Sequence, residues 1–416
     1  MKLLHAVLLA LAVGASATSQ GAAPNTDKST KASKAAKAKA GAGSRAAKPS
    51  REGKAGKSSK QTRASAKGGK ADKSVAVKRA PYVHVAPRID YQGEQVNFSE
   101  WGAVSAFADE LALRHGFVRS ELTSLISQIR YIESAVQLVK PAPPGKPKNW
   151  QGYRELTIEP IRVGAGVKFW NENVAALARA EAEYGVPAEI IVGIIGVETV
   201  YGRNTGRFRV VDVLTTLAFA YPETPNRVAR MAFFRNELEN VLLLARKNRE
   251  DPFSVLGSFA GAVGMPQFMP GSVLAYGVDF DNNGVVDLRN SATDAIGSVA
   301  NFLVQHGWQK QHNGAAVFPV QVSANREWER FINQGLSARF TLKELRDAGV
   351  APDGVVPKGQ LYGLIDLQNG AEPTDYWLAN DNFFAITQYN RSYFYAMAVL
   401  ELGQAVRVIR AENTMN

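Results

Sequence analysis

The chain has 416 residues, of which 45% are hydrophobic, and it carries a formal net charge of +11 with no cysteine. Its length allows a large hydrophobic core in one elaborate domain or in two. The lack of cysteine excludes disulfide bonds and a lipid attached to an N-terminal cysteine. Beyond the N-terminal residues, no segment is long and apolar enough to predict a transmembrane helix.

Residues 1–17 have the pattern of a secretory signal peptide. Lys2 provides the positive start, residues 3–13 are apolar, and small residues at 15–17 offer a cleavage site. This apolar stretch is too short to form a stable membrane anchor, although an uncleaved anchor is the alternative. We therefore expect an exported protein that is soluble in a bacterial periplasm and has no lipid anchor.

Residues 18–80 differ in composition from the rest of the chain. They are rich in Lys, Ala, Ser and Gly and contain 17 Lys or Arg against three acidic residues. Such a segment cannot bury enough apolar surface to fold, so we predict a disordered basic linker. It could contact anionic lipid or wall polymer, or act as a passive spacer. An exported protein rarely meets nucleic acid, which is not expected as a partner.

Residues 81–416 form the predicted folded region, and most of its apolar periodicity is helical. Glycine and proline divide residues 318–377 into short β-like runs. The sequence therefore predicts a mainly α (α+β) protein with a small β insertion. The predicted helices cover residues 101–115, 117–138, 167–184, 187–202, 211–220, 229–246, 291–306 and 392–411.

Glu198 is a lone carboxylate near the end of an almost uninterrupted apolar run. Pro187 suits the first turn of a helix and Gly202 its end, and apolar residues between them surround the helix axis. The helix is therefore predicted to be buried. Desolvation of Glu198 would raise its pKa and keep its proton available near neutral pH, as a general acid requires. The alternative is a structural glutamate that bonds a neighbouring turn.

Two further strings combine polar residues with apolar or aromatic neighbours. Residues 257–270 have closely spaced glycines, with Ser258 and Gln267 among apolar residues. This pattern suits a groove in which a bulky ligand approaches the main chain, or a close-packed structural turn. Residues 389–395 are dense in aromatic and amide groups. They suit sugar rings, but also an ordinary half-buried helix start.

Residues 279–290 have the spacing of a calcium-binding loop. Oxygen-bearing side chains occupy positions one, three, five and nine, and glycine occupies position six. Position twelve is Asn290 rather than glutamate, so Asp294 would have to close a longer loop. The alternative is a turn rich in Asp and Asn without a metal ion.

Together, residues 194–202 and 258–270 resemble the B-type lytic murein transglycosylases, bacterial enzymes that cleave peptidoglycan glycan strands. The resemblance covers about residues 83–411. It implies a lysozyme-like helical catalytic core with a cleft, an extra helical region and a small β region. It also implies that Glu198 is the acid/base, that Ser258 orients it by a hydrogen bond, and that Gln267 lies in the cleft.

The same resemblance implies further site residues and a structural ion. No cofactor is implied for catalysis, and any calcium would be structural. This chain departs from the family pattern at three places. It has Phe302 where the family has a cleft tyrosine, and residues 223–228 look inserted. Its metal loop is one residue longer than that of the family. The further substrate-binding positions are Tyr153, Arg230, Tyr389, Asn390 and Tyr395. The calcium positions are Asp279, Asp281, Asn283, the carbonyl of Val285, and Asp294.

We therefore expect a monomeric lytic transglycosylase that acts on peptidoglycan glycan strands. It would cleave the β-1,4 bond between N-acetylmuramic acid and N-acetylglucosamine without water, producing 1,6-anhydro ends. One alternative is a hydrolytic muramidase on the same fold, which needs a second carboxylate to hold water. After Glu198, the next carboxylate in the sequence is Asp212. The other alternative is a non-catalytic wall-binding protein.

Overall fold

The computed structural model describes residues 97–141, 145, 147–312 and 314–415. The predicted signal peptide (1–17) and basic linker (18–80) lie outside the described residues. Within the described part, no helix has both the length and the apolar character needed to cross a membrane.

Helices make up most of the described chain, as predicted. They are α1 (Gly102–His115), α2 (Arg119–Ile126), α3 (Glu133–Leu138), α4 (Trp150–Thr157), α5 (Pro160–Glu172), α6 (Val174–Tyr184), α7 (Ala188–Thr199), α8 (Val210–Phe219), α9 (Arg227–Asn248), α10 (Pro270–Tyr276), α11 (Ala292–Gln305), α12 (Leu342–Asp347), α13 (Asp381–Tyr389) and α14 (Tyr393–Met415). Short 3-10 helices cover Phe98–Glu100, Pro252–Ser254 and Glu327–Phe331.

Two antiparallel sheets accompany these helices. The first pairs β1 (Phe208–Arg209) with β2 (Leu256–Gly257). The second has five strands in the order β4-β6-β7-β3-β5 and forms the predicted β insertion. Its strands are β3 (Val317–Val322), β4 (Phe340–Thr341), β5 (Val350–Pro352), β6 (Leu361–Asn369) and β7 (Glu372–Ala379).

The α7 helix lies at the centre of the main hydrophobic core and packs along α14. Ile191, Ile194 and Ile195 of α7 are fully buried, as expected for a helix that is apolar on all sides. The two helices approach so closely that glycine is needed on both. A Cβ atom on Gly193 would lie 2.3 Å from the carbonyl oxygen of Val399, far inside van der Waals contact.

Two other hydrophobic clusters complete the fold. The second cluster joins α1, α2 and α3 to α8 and α9. The third lies on the five-stranded sheet and includes Trp328, Leu345 and Tyr362. The main cluster, which contains α7, also includes residues of α5, α6, α11, α13 and α14. Helices distant in sequence thus surround the segment that ends in Glu198.

The single helix predicted over residues 117–138 is wrong, because α2 and α3 replace it. Between them, the backbone N–H groups of Arg130 and Ile132 donate to Asp212 and Thr216, at 3.2 and 3.1 Å. These two acceptors belong to α8. Side chains from a later helix therefore replace hydrogen bonds that a continuous helix would have made within itself.

The helix predicted over residues 167–184 is also divided, into α5 and α6. Asn173 separates them and donates through Nδ2 to the carbonyl oxygen of Phe169 at 2.8 Å. Such side-chain bonds compete with those of the helical backbone. The short helices α4, α10, α12 and α13 were not predicted, since six to nine residues carry little periodicity. The other predicted helices agree with the structure to within a few residues at their ends.

Candidate active site

Glu198 is the penultimate residue of α7, and its side chain is partly exposed at the end of that buried helix. The pKa of its carboxyl is raised from 4.5 to a net value of about 7, and burial is the largest cause. The hydroxyl of Tyr395 donates a hydrogen bond to Glu198 Oε1 at 2.7 Å, which acts in the opposite direction and lowers the pKa. Glu198 can therefore hold a proton near neutral pH and release it during a reaction.

The chain turns sharply after α7, and this turn presents Glu198 at the helix end. Val200, Tyr201 and Gly202 all have positive φ angles, of 52°, 58° and 85°. This conformation is uncommon for residues other than glycine. The Tyr201 ring enters a space that two glycines leave open, since a Cβ atom on Gly166 or Gly196 would lie 2.4 Å from its hydroxyl.

The three predicted cleft tyrosines lie around Glu198. The rings of Tyr389 and Tyr395 are stacked, with centroids 6.2 Å apart. Burial raises the pKa of both well above 10, and the charge of Glu198 raises both further. Burial and then the same charge raise the pKa of Tyr153, which stacks on Trp150. The structure thus brings residues from α4, α13 and α14 to the carboxyl of α7.

Ser258 makes hydrogen bonds other than the predicted bond to Glu198. Its hydroxyl accepts from the backbone N–H groups of Ala262 and Ala260, at 3.1 and 3.4 Å. A hydrogen bond between Ser258 and Glu198 is not among those of the described residues. The hydroxyl therefore stabilises its own glycine-rich loop, and the structure gives Glu198 the hydroxyl of Tyr395 as its partner.

Gln267 and Arg230 each carry a buried polar atom without a hydrogen-bond partner among the described residues. Gln267 has a φ of 52°, and its Nε2 donates to the carbonyl oxygens of Gly264 and Thr205. Its Oε1 has no partner, and neither has Arg230 Nη2. Buried polar atoms normally have partners, so these two atoms are unsatisfied in the structure. Arg230 lies on α9 beside Tyr221. Burial lowers the pKa of its guanidinium, and the smaller effect of Tyr221 raises it.

The remaining predicted cleft position, Asn390, is buried where α13 ends. Phe302 packs against Tyr389, with ring centroids 4.8 Å apart, and so extends the aromatic group without adding a hydroxyl. Sequence reasoning missed His306, which stacks on Phe302 at 3.9 Å. It also missed Thr199, which is fully buried beside Glu198. A hydroxyl within the apolar string of α7 was the available signal for Thr199.

The predicted metal loop brings together oxygen atoms suited to calcium. Oxygen atoms of Asp279, Asp281 and Asp294 lie within 4.8 Å of one another. The carboxylate of Asp279 accepts from the backbone N–H groups of Asn283 and Gly284, which fixes the loop around it. Oxygen ligands that converge in this way fit a hard cation such as calcium.

Asp294 closes this cluster from the start of α11 and is fully buried. Its Oδ1 accepts from the backbone N–H groups of Phe280 and Asp281, and its Oδ2 accepts from Asp287. Each carboxylate oxygen has two lone pairs, so Oδ2 retains capacity for one more partner. Asn283 Oδ1 accepts from the backbone N–H of Val285. The carbonyl oxygen of the same residue, Val285, is the predicted calcium ligand.

Comparison with known proteins identifies the family of this chain. A family profile described as "Transglycosylase SLT domain" matches residues 98–404. The chain belongs to this transglycosylase family. It is 42% identical over 315 residues to the membrane-bound lytic murein transglycosylase B of Escherichia coli (strain K12), covering 74% of this chain and 83% of that protein.

Solved transglycosylase structures show the same fold. The soluble lytic transglycosylase SltB1 from Pseudomonas aeruginosa has a TM-score of 0.68 at 41% identity, covering 74% of this chain and 99% of that one. The Escherichia coli lytic transglycosylase Slt35 in complex with calcium has a TM-score of 0.67 at 39% identity, covering 76% and 97%. The predicted family and the lysozyme-like, mainly helical fold class are confirmed.

Proposed function

We propose that this transglycosylase cleaves the β-1,4 bond between N-acetylmuramic acid and N-acetylglucosamine in peptidoglycan without using water. The observation that carries the proposal is a single carboxyl, Glu198, whose pKa burial raises to about 7 within a transglycosylase fold. An enzyme that acts on peptidoglycan is what the family relationship supports. The residue roles and the anhydro product are the parts proposed here.

Glu198 performs two proton transfers in this mechanism. It first donates its proton to the glycosidic oxygen, and the bond from that oxygen to C1 of the muramic residue breaks. The acetamido oxygen of the substrate stabilises the positive character at C1. The ionised Glu198 then takes the proton from the muramic 6-hydroxyl, and the O6–C1 bond forms. Intramolecular attack has a high effective molarity, so no activated water is required.

The surroundings of Glu198 favour this mechanism over the hydrolytic muramidase. Most hydrolytic glycosidases use two carboxylates, one on each side of the scissile bond. Asp212, the next carboxylate in sequence, is fully buried and accepts from Arg209 at 2.6 and 2.7 Å. It also accepts from the N–H of Arg130 at 3.2 Å, so its role is structural. Among the described residues, burial and Tyr395 set the pKa of Glu198, without a second carboxylate.

The proposed substrate is a peptidoglycan glycan strand. Solved complexes of SltB3 from Pseudomonas aeruginosa contain NAG-NAM-pentapeptide and NAG-anhNAM-pentapeptide, and that protein is 27–28% identical to this chain with a TM-score of 0.63. The unpaired acceptor of Gln267 and the unpaired donor of Arg230 have the hydrogen-bonding chemistry that hydroxyl and acetamido groups of such sugars would complete. The other proposed contacts are Tyr153, Ser258, Tyr389, Asn390 and Tyr395.

We also propose that calcium is structural in this protein. The ion would be held by Asp279, Asp281, Asn283, the carbonyl of Val285, and Asp294, at some distance along the chain from Glu198. The solved complex of Slt35 with calcium shows that a member of the family binds this ion. Bound calcium would fix residues 279–294 against α11, and no step of the reaction requires it.

From the sequence we propose that the protein is periplasmic and carries no lipid anchor. The related Escherichia coli enzyme is named as membrane-bound, whereas this chain has no cysteine to carry an N-terminal lipid. The basic residues 18–80 are proposed to contact anionic wall polymer or lipid. We propose a monomer, because Glu198 and its hydrogen-bond partner Tyr395 belong to the same chain.

Mass analysis of digested peptidoglycan tests the proposed reaction. Purified sacculi treated with the protein should release muropeptides with 1,6-anhydromuramic ends, lighter by one water than lysozyme products. Chitin oligomers, which lack the muramic residue, should remain uncut. Products dominated by reducing N-acetylmuramic ends would replace the transglycosylase with a hydrolytic muramidase.

A further inference from the structure

Thr199 follows Glu198 directly and is the last residue of α7. Its side chain is fully buried. The hydroxyl donates to the carbonyl oxygen of Met265 at 2.8 Å and accepts from the N–H of Gly202 at 2.9 Å. The carbonyl oxygen of Ile195, at 3.3 Å, is a more distant alternative acceptor. One hydroxyl therefore connects the end of α7, the left-handed turn after it and the glycine-rich loop.

Met265 belongs to the same loop that contacts the tyrosines around Glu198. The hydroxyl of Tyr389 donates to the carbonyl oxygen of Pro266, the residue after Met265. Tyr389 stacks on Tyr395, and Tyr395 donates to Glu198. The contacts thus form a closed circuit. It runs from Glu198 through two tyrosines and two loop carbonyls, and it returns to Glu198 through the neighbouring residue Thr199.

We propose that Thr199 is a positioning residue for the general acid, whose hydroxyl fixes the end of α7 to the 258–270 loop and so sets the depth of the Glu198 carboxyl. This inference rests on the proposed acid/base role of Glu198. Thr199 is not proposed to contact the substrate. Thr199 acts through the backbone on either side of it, and through the loop that supports Tyr389.

The local backbone gives a physical reason for this role. Val200 and Tyr201 have positive φ angles, a conformation that persists only where surrounding contacts fix it. The bond from the N–H of Gly202 to Thr199 is one such contact, and the bond to Met265 is another. Without the hydroxyl, the helix end and the loop are free to separate. More water would then surround the Glu198 carboxyl, which would also lose its fixed orientation.

Removing the hydroxyl while keeping the side-chain volume tests the proposal. Thr199→Val should reduce kcat by about 10- to 100-fold with KM changed less than about twofold, because misplacement of a catalytic group affects the chemical step. Activity requires protonated Glu198, and a better solvated carboxyl has a lower pKa. The alkaline limb of the kcat profile should therefore move to lower pH in Thr199→Val. Thr199→Ser keeps the hydroxyl and should retain both the rate and the profile.

Thr216→Val is the matched control. Thr216 is also fully buried, accepts from the N–H of Ile132 at 3.1 Å and donates to the carbonyl oxygen of Asp212 at 2.8 Å. It lies on α8, whose apolar residues belong to the second hydrophobic cluster. Its replacement should lower the melting temperature by an amount comparable to that in Thr199→Val, yet leave the pH profile unchanged.

Three outcomes would overturn the proposal. They are an unshifted alkaline limb in Thr199→Val, an equal shift in Thr216→Val, and a shifted limb in Thr199→Ser. Thr199→Ala repeats the test if the valine variant does not fold. Mass analysis of the product ends made by the wild type tests the proposed reaction separately. If those ends were reducing, Glu198 would still be the acid and the pH profiles would still decide the role of Thr199.

Discussion

Replacing Glu198 with glutamine should increase stability above neutral pH while removing activity. Burial raises the pKa of Glu198 from 4.5 to about 7. Each pKa unit corresponds to 1.36 kcal/mol, so this shift represents roughly 3 kcal/mol of preference for the protonated form in the folded state. The amide keeps the shape of the side chain and an oxygen that can accept from Tyr395, but it has no proton to lose.

The sign of the effect follows from proton binding in the two states. Below pH 4.5, Glu198 is protonated in both the folded and the unfolded chain. Between pH 4.5 and about 7 the unfolded chain releases the proton while the folded protein retains it, so stability falls as pH rises. Above pH 7 the folded protein has lost this contribution to its stability completely. Glu198→Gln lacks this loss and should therefore gain up to about 3 kcal/mol over wild type between pH 4 and pH 8.

Urea unfolding of both proteins at pH 4, 6 and 8 measures this difference. Glu344→Gln provides a control of opposite sign, because hydrogen bonds from Thr341 lower the pKa of that exposed carboxyl. Its stabilising effect is present above the ordinary pKa of glutamate and lost in acid, so the control variant should lose stability at neutral pH. Free energies of unfolding for wild type and Glu198→Gln that remain parallel across pH would refute the burial argument.

Glu198→Gln should lose activity by about 10²- to 10⁴-fold, the usual contribution of general acid–base catalysis. If it kept a third of the wild-type rate, Glu198 would not be the acid. Tyr395→Phe removes a hydrogen bond that lowers the pKa of Glu198. In pH–rate measurements its alkaline limb should move to higher pH, opposite to Thr199→Val, with kcat reduced by about tenfold; a limb that moves to lower pH would contradict this role. Calcium should raise the melting temperature by mass action, and Asp281→Ala should abolish that increase without affecting the chemistry. Identical calorimetric scans of the wild type in calcium and in chelator would exclude the ion.

Several features of this protein were determined by residues close together in the sequence. The buried helix α7 was predictable because apolar residues surround its axis over three turns, and the carboxylate that follows this apolar run marked Glu198. The turn at residues 279–284 was predictable because Asp279 and Asp281 stand at fixed spacing from Gly284, and turns of this kind form through local bonds. The positions of most long helices followed from the same short-range periodicity.

Hydrogen-bond partners distant in sequence were decided only by the tertiary structure. The break in residues 117–138 depends on Asp212 and Thr216, which reach the backbone from more than eighty residues away. Tyr395, rather than the expected Ser258, is the hydrogen-bond partner of Glu198, 197 residues earlier in the chain. Periodicity reports which face of a helix is buried. It does not report which groups meet there, because those contacts arise only when the helices pack.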